Sequence, residues 1–423
     1  MPKNLFICTR QKCYVDSSEL LTPQLEIPRL TSHDAYLNAA VDPELNPVFP
    51  RIDFRYLSEA DMIAAGVEDV AACTDAMEEA LALHARGDYR MAGHNGESHG
   101  AKVQFPVNPA HEGMPADGPD RRYVAMPAYL GGSFRTMGVK TYASNIDNRE
   151  IGLPRSILML TLNDATSGAP LAYMSANLLS AYRTGGASGV GARRFAPKNA
   201  KVLGLLGPGV IAKATVAALI EARPTVDTIK VLGRSQKGID TFISWAEETY
   251  PGINVIAVEE LEEVVRDSDI VTFCTSIHVG DPETYPTVRR EWVKPGAFFA
   301  MPAACNLDEG MFEPDVRKLV DNAGMYDAWA EETEPGKSHN YVSIIGCKFN
   351  DRIHNGLMGP EELRDMGEAL NHPAPEDAEE KITVYSVGGM PIEDVAWGTV
   401  VYRNAVRKGI GTVLNLWDVP AMS

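Results

Sequence analysis

The segment from Lys201 to Leu219, KVLGLLGPGVIAKATVAAL, constrains the fold of this chain more than any other. It predicts an apolar strand, then a glycine turn, then an alanine-rich helix. The turn reads Gly207-x-Gly209-x-x-Ala212, the alanine-ended form of the G-x-G-x-x-G/A dinucleotide fingerprint. Gly207 permits the tight turn, Gly209 leaves room for a pyrophosphate, and Ala212 lets the helix pack closely on the strand. A turn that binds no ligand is the alternative interpretation.

Two further strands, Thr228 to Leu232 and Ile253 to Val258, follow with a helical segment between them. The pattern predicts a Rossmann-type, doubly wound parallel sheet whose helix N-terminus binds the phosphates through free N–H groups and the helix dipole. The residues expected to contact the dinucleotide are Gly207, Gly209, Val210, Ile211, Arg234, Ser235, Lys237, Thr275, Ser276 and Thr184.

The end of the second strand indicates which dinucleotide is bound. Sites for NAD place Asp or Glu there to bind the ribose 2′-hydroxyl, about 20 residues past the glycines. This chain instead has Gly233, Arg234, Ser235 and, two residues later, Lys237. A guanidinium, a hydroxyl and an added positive charge suit a 2′-phosphate, so the sequence predicts NADP(H). The alternative is that Arg234 stacks on the adenine of an enzyme that also uses NAD(H).

The composition excludes several classes of protein. A net charge of −18 over 423 residues argues against binding to nucleic acid or to anionic membranes. No apolar run approaches the roughly 20 residues that a membrane span needs, and the start of the chain has no signal-peptide core. Six cysteines form no disulfide framework, and Cys8-x₄-Cys13 has no second pair to complete a zinc site. The expected location is cytoplasmic.

The order of segments predicts an inserted nucleotide domain. Residues 1–55 form an N-terminal extension rich in proline, and Ser58 to Gly87 has a helical pattern that opens with a Ser58-x-x-Asp61 capping box. Four strands and a helix from Leu178 to Ala192 follow. We expect a substrate-binding and dimerisation domain over 56–185, a Rossmann domain over 186–380, and a return to the α+β substrate domain over 381–423.

Three further segments and a closing motif resemble the ornithine cyclodeaminase/μ-crystallin family. The segments are GVKT from Gly138, LNDATSGAP from Leu162 and SAYRTGGA from Ser180, and the closing motif is SVGGMPIED from Ser386. The resemblance covers roughly Tyr56 to Trp417. It implies a homodimer whose split domain binds a small amino or imino acid, with NAD(P)-linked chemistry at the carbon–nitrogen bond.

The resemblance also suggests roles for individual residues. Lys140 matches the family's active-site lysine, which donates a proton or steers the imine nitrogen, and Arg183 matches the arginine that holds the substrate carboxylate. A structural salt bridge is the alternative for each. Arg90 and the Arg121–Arg122 pair are weaker candidates for a second carboxylate contact.

The chain departs from the cyclodeaminases at one position. Those enzymes carry an aspartate that assists loss of ammonia, and this position falls near Ala304 here. Asp308, four residues later, is a candidate catalytic substitute, although its position also suits a helix cap. The missing carboxylate favours a reductase or dehydrogenase over a cyclodeaminase.

His94 and His99 lie in a glycine-rich loop, GHNGESHG. Two histidines suggest a metal, but no nearby residue completes a tetrahedral set, so no metal is expected. The two other interpretations are a loop that closes over the substrate and a solvated loop.

The sequence thus predicts an NADP(H)-dependent oxidoreductase for a carboxylate-bearing imine or amino acid, of the ketimine reductase or amino acid dehydrogenase type. Two alternatives stay open. One is a cyclodeaminase-type lyase that recycles its NAD(P) within one turnover, and the other is a non-catalytic, crystallin-like NADPH-binding protein.

Overall fold

The computed structural model describes residues 51–118, 120–275, 282–377 and 379–422. In chain order its strands are β1 Ile52–Leu57, β2 Tyr89–Met91, β3 Ala101–Val103, β4 Arg122–Leu130, β5 Thr136–Ser144, β6 Ser156–Asp164, β7 Pro170–Ser175, β8 Val202–Leu206, β9 Thr228–Leu232, β10 Asn254–Ala257, β11 Ile270–Phe273, β12 Thr287–Val288, β13 Phe298–Met301, β14 Asn306–Leu307, β15 Arg317–Val320, β16 Leu363–Asp365, β17 Thr383–Ser386 and β18 Thr412–Trp417. Its α-helices are α1 Glu59–Ala65, α2 Val70–Ala85, α3 Asn177–Phe195, α4 Val210–Ala222, α5 Gln236–Thr249, α6 Leu261–Val265, α7 Ala323–Glu332, α8 Ile345–His354, α9 Met366–Leu370 and α10 Pro391–Lys408.

The first sheet has the order β18-β1-β7-β6-β5-β4-β2, with β3 also paired to β4. Its pairs are antiparallel apart from β1 with β7. In the long strands Lys140 lies opposite Met126 on one side and Leu160 on the other. Because side chains alternate along a strand, Lys140 and Tyr142 share one face, which is covered by α10 near Gly138. We call this the cleft face and the opposite one the outer face.

The second sheet is parallel and has the order β10-β9-β8-β11-β13-β17-β15-β16. Its central strands are buried throughout, as expected when helices cover both faces. The predicted doubly wound sheet is thereby confirmed. Thr383–Ser386, at the start of the segment that we expected to return to the substrate domain, instead forms β17 and pairs with β13 and β15. The chain therefore crosses back to the first sheet after residue 386 rather than at 381, because the four buried residues of β17 suit a central parallel strand.

The predicted helix over Ser58 to Gly87 is two helices, α1 and α2. The capping box is present, with Ser58 Oγ accepting from the Asp61 amide and the Asp61 carboxylate accepting from the Ser58 amide. Gly66 ends α1 in the left-handed region, at a φ of 97°, and Asp69 caps the next helix. A left-handed glycine stops a helix even where the apolar spacing continues, which explains the difference.

Helix α3 joins the two sheets and packs against both. Its glycines allow close contacts: an added Cβ at Gly185 would lie 2.5 Å from the Ala214 carbonyl oxygen of α4. At Gly189 it would lie 3.1 Å from Ala218 of α4 and from Thr74 of α2. The glycine-rich run in α3 thus brings three helices together at the junction of the two halves.

Candidate active site

The glycine turn after β8 has the backbone geometry that the fingerprint requires. Gly207 has a φ of 88°, and an added Cβ there would lie 2.9 Å from the amide nitrogen of Thr275. Ala212 is completely buried in the helix that follows. The Gly207 amide donates to the carbonyl of Leu232 at 2.8 Å, which ties the turn to the end of β9. The turn is therefore rigid and excludes side chains at its first glycine.

Gly209 differs from Gly207 because an added Cβ would meet nothing within 4 Å. Val210 and Ile211, the first residues of α4, expose 66% and 39% of their surface beside this open space. Thr275 Oγ1 is buried and has no hydrogen-bond partner among the described residues. An open helix N-terminus beside an unpaired hydroxyl fits the phosphates of a dinucleotide.

The residues after β9 are exposed where the adenosine ribose of a dinucleotide would lie. Arg234, Ser235 and Lys237 are all exposed. Ser235 caps α5, since its hydroxyl accepts from the Gly238 amide at 3.2 Å. This leaves the hydroxyl proton available to an anion, next to the positive end of α5. Of the other expected cofactor contacts, Thr184 donates its hydroxyl to the Ser180 carbonyl at 2.8 Å, and Ser276 lies outside the described residues.

Four buried charged residues meet between the cleft face, α3 and the start of α10. Lys140 Nζ lies 2.7 Å from Asp394 Oδ2. Arg183 Nε lies 3.0 Å from Asp394 Oδ1, and Arg183 Nη1 lies 3.0 Å from Glu393 Oε2. Both acids are completely buried. We call Lys140, Arg183, Glu393 and Asp394 the charge cluster.

The chain holds this cluster in place from two directions. Glu393 and Asp394 lie in the first turn of α10, where the helix dipole favours carboxylates. Gly389, with a φ of 87°, lies under the guanidinium, and an added Cβ would be 2.2 Å from Arg183 Nη1. The glycines after β17 thus make space for Arg183, while Ser180 Oγ lies 3.4 Å from Lys140 Nζ and 3.5 Å from Arg183 Nη2.

Burial changes the acid–base properties of the cluster. Burial and then the charge of Arg183 lower the pKa of Lys140 to about 8, although Asp394 opposes the change. Burial raises the pKa of Glu393 to about 8, against the effect of Arg183. At neutral pH the lysine therefore carries a proton that it can release readily, and Glu393 is largely neutral.

Further cations lie along the cleft face toward one end of β4. Arg122 Cζ is 5.7 Å from the centroid of the Tyr142 ring, and Lys140 Nζ is 5.9 Å from the same centroid. Lys102 lies opposite Val124, so it shares this face with Arg122. The face therefore presents a row of positive charges beside an aromatic ring.

The histidine loop extends from the cleft face to the nucleotide half. Asn95 Nδ2 donates to the Gly324 carbonyl at 2.8 Å, and Ser98 Oγ donates to Glu332 at 3.1 Å. The His99 ring lies 5.1 Å from that of Trp329. Burial lowers the pKa of His99, followed by the charges of Lys140, Arg183 and Arg122, so His99 is a neutral group at the cluster. His94 is exposed, and the described residues contain no group that could hold a metal.

Two sequence candidates lie elsewhere. Arg90 pairs with Tyr129, which is on the outer face, and its guanidinium contacts the carbonyls of Gly87 and Tyr89. The alternation of a strand thus directs Arg90 away from Lys140. Asp308 accepts from the Arg290 amide at 2.9 Å and precedes a short 3₁₀ helix, with which its side chain makes no capping hydrogen bond. No hydrogen bond or ion pair in the described part of the chain connects it with the charge cluster.

Sequence reasoning missed four residues of this site. Glu393 and Asp394 belong to the closing motif, and two adjacent acids in an otherwise apolar helix start were the available signal. Lys102 and Tyr142 had no such signal, because Lys102 lies on the three-residue strand β3 and Tyr142 is a single aromatic residue among the alternating side chains of β5.

Comparisons with known proteins identify the family of this chain. The model of the ornithine cyclodeaminase/mu-crystallin family matches residues 67–409. N-((2S)-2-amino-2-carboxyethyl)-L-glutamate dehydrogenase of Staphylococcus aureus is 28% identical, over 86% of this chain and 98% of that protein. Alanine dehydrogenase of Archaeoglobus fulgidus is 30% identical, over 70% of this chain and 84% of that protein. A solved archaeal alanine dehydrogenase dimer with bound NAD has a TM-score of 0.67 and 24% identity, over 86% of this chain and 100% of that chain.

These matches confirm two predictions, the fold and the assignment of this chain to the NAD(P)-dependent oxidoreductases of the ornithine cyclodeaminase/mu-crystallin type. No helix among the described residues is long and apolar enough to span a membrane. The family model spans most of the chain and includes the glycine turn, Lys140, Arg183 and the acidic pair. The chain belongs to the ornithine cyclodeaminase/mu-crystallin family.

Proposed function

We propose that this protein is an NADP(H)-dependent oxidoreductase that acts on the carbon–nitrogen bond of a carboxylate-bearing imine or amino acid. The charge cluster carries this proposal, because it places a readily deprotonated lysine beside an arginine, with both side chains paired to Asp394. Two similar dehydrogenases support a reaction at the carbon–nitrogen bond, because one is named for a secondary amine and the other for an amino acid.

Lys140 is the proton donor in this proposal. In the direction of reduction, the imine nitrogen gains one proton as the α-carbon gains a hydride, and the product is an amine. Asp394 holds the ammonium of Lys140 at 2.7 Å, while burial and Arg183 keep its pKa near 8. Lys140 can therefore give up its proton at neutral pH and recover it from water.

Arg183 is the proposed contact for the substrate carboxylate. Two of its nitrogens are already held by the acids, whereas among the described residues Nη2 has only the 3.5 Å contact with Ser180 Oγ. The two acids fix the plane of the guanidinium. The Nη2 side of the group is therefore already oriented to receive a carboxylate before the substrate binds. Arg183 would orient the substrate so that its nitrogen lies near Lys140.

The dinucleotide, when bound, supplies or accepts the hydride at the α-carbon. Gly209 and the unpaired Thr275 hydroxyl would hold its phosphates. The preference for NADP(H) over NAD(H) rests on Arg234, Ser235 and Lys237, which stand where a carboxylate would select the ribose hydroxyl. The ion-pairing capacity of Arg234 and the helix N-terminus at Ser235 both favour a phosphate.

A cyclodeaminase needs a second titrating group that reaches the substrate. Glu393 is such a group, but it is completely buried and its Oε2 already accepts from Arg183 Nη1 at 3.0 Å. Ala304 is small and apolar, and its backbone pairs with Ile344. These observations favour the oxidoreductase.

The test is to follow the ultraviolet absorbance of NADPH and of NADH with a panel of α-keto acids and amines. A keto acid, an amine, NADPH and a proton should give a secondary or primary amine, NADP⁺ and water. Net oxidation of NADPH, faster than of NADH, is the expected result. Conversion of ornithine or lysine with no net change in cofactor would identify the lyase, and binding of NADPH without turnover of any pair would identify the non-catalytic protein.

We also propose a homodimer that forms through the outer face. Tyr56, Tyr123, Ile157, Tyr173 and Leu414 all lie on this face by their strand pairing, and each is between 37% and 45% exposed. An apolar patch of this kind on one face of a sheet suits a second copy of the same chain. The archaeal relative described as a dimer supports this choice. Light scattering should give twice 46.0 kDa for the wild type and a lower mass for Tyr173→Glu.

A further inference from the structure

The cleft face has more positive charge than one substrate carboxylate requires. Beyond the charge cluster it carries Arg122 and Lys102, in a chain whose net charge is −18. The described residues provide no ion pair for Lys102, and its pKa is lowered by burial and then by Arg122. Concentrated cations of this kind are unfavourable unless an anion joins them.

Arg122 is held in position as a recognition residue would be. Its Nη1 donates to Asp120 Oδ1, and Asp120 Oδ2 accepts from Ser144 Oγ at 2.8 Å and lies 3.2 Å from Arg155 Nη1. Asp120 has a φ of 59°, an uncommon conformation for a residue other than glycine. Two arginines share this one carboxylate, so the group keeps a net positive charge.

The Tyr142 ring connects this second cationic group with the charge cluster. Arg122 and Lys140 lie 5.7 Å and 5.9 Å from its centroid. A substrate whose nitrogen is at Lys140 could therefore extend along the ring and reach Arg122 with a group on its amine side. Arg122 can bind a carboxylate through the guanidinium nitrogens that Asp120 and the Tyr142 hydroxyl do not occupy.

We propose that Arg122, with Lys102 beside it, is a second carboxylate subsite, and that the substrate is an imine whose amine half carries its own carboxylate. The reduced product is then a secondary amine that joins two acids through one nitrogen. This inference rests on the proposed function and specifies its substrate class.

The test compares amines in the reductive assay, with one α-keto acid and saturating NADPH. For the wild type, kcat/KM should be at least about tenfold higher with glycine, L-aspartate or L-glutamate than with methylamine, as one charge-assisted contact would give. Arg122→Gln should lose most of that preference, and Arg122→Lys should keep part of it. The matched control is Arg121→Gln, because Arg121 contacts Ala116 and Asp147 instead, and it should keep the wild-type preference.

Equal rates with methylamine and the amino acids in the wild type would overturn the subsite. So would an Arg122→Gln variant that loses the same fraction of kcat/KM with every amine, because that result describes a structural role. Absence of NADPH oxidation with all pairs would instead reject the proposed function itself. The melting temperatures of the three variants should match that of the wild type within a few degrees. The ratio of kcat/KM with amino acids to kcat/KM with methylamine can then be compared between folded proteins.

Discussion

The glycine turn and the charge cluster solve two binding problems in different ways. At the turn the backbone forms the site: one glycine has a left-handed φ, the next leaves open space, and the side chains contribute little. In the cluster, side chains from β5, α3 and α10 form the site through polar contacts of 2.7 to 3.0 Å. The turn depends on three neighbouring residues, whereas the cluster depends on the whole fold.

This difference predicts how each region responds to substitution. A site made of backbone loses binding when a side chain fills its space, whereas a site made of buried charges also loses stability when one partner is removed. Substitutions at the two regions should therefore separate cofactor binding from the chemical step.

Lys140→Arg should lower kcat/KM by about 10²–10⁴, because an arginine can keep the ion pair with Asp394 but does not release its proton at neutral pH. NADPH affinity, measured by fluorescence titration, should stay near that of the wild type. Lys201→Arg, the same change at an exposed ion pair with Asp227, is the control and should keep full activity. An active Lys140→Arg enzyme would show that another group donates the proton.

Gly209→Ala should weaken dinucleotide binding by about tenfold or more, since the new methyl group fills the space next to the helix N-terminus. Its melting temperature should change little. Gly207→Ala is the matched comparison, and it should destabilise the fold by about 1–3 kcal/mol because of its φ of 88° and the Thr275 amide at 2.9 Å. If the two variants behaved alike in both measurements, the division between open and tight glycines would be wrong.

Arg234→Ala should weaken NADPH binding by about tenfold and leave NADH binding nearly unchanged, because only NADPH carries the 2′-phosphate. Isothermal titration with both cofactors measures the difference. Arg266→Ala, which removes an exposed arginine paired with Glu262, should affect neither cofactor. Equal losses for the two cofactors would contradict the assignment of NADP(H).

The pH dependence should show the smallest effect. Reduction needs protonated Lys140, so kcat/KM should fall as the pH rises through about 8, and amine oxidation should show the opposite trend. Glu393 raises the pKa of Lys140 when it ionises, so Glu393→Gln should move the falling limb to lower pH by less than about one unit. A limb that moves to higher pH would exclude this coupling.

The sequence was sufficient for the turn because its information is local. Strand, glycines and helix follow one another within 19 residues, and the exposed Arg234 segment comes directly after the next strand. The roles of Lys140 and Arg183 came from resemblance. Their acidic partners did not, since Glu393 and Asp394 lie 210 and 211 residues from Arg183 along the chain. Hydrophobic periodicity does not indicate which distant segment of the chain supplies the acidic partners of Lys140 and Arg183.

Arg90 and Arg122 illustrate a second limit. Both are arginines on strands of the same sheet, and only the register decides which face each one occupies. Arg90 pairs with Tyr129 and lies on the outer face, while Arg122 pairs with Ser144 and lies on the cleft face. A shift of one residue would exchange them. Composition does not show which face either arginine occupies, so the distinction requires the paired strands.

The glycines of α3 have a consequence for the cooperativity of unfolding. At Gly185 the backbone of α3 approaches the backbone of α4, and at Gly189 it approaches both α4 and α2, so the hydrophobic cores of the two halves share one helix. Neither half can lose its core without exposing the side of α3 that the other half buries. The chain should therefore melt in a single calorimetric transition, with both sheets lost together, rather than one half after the other.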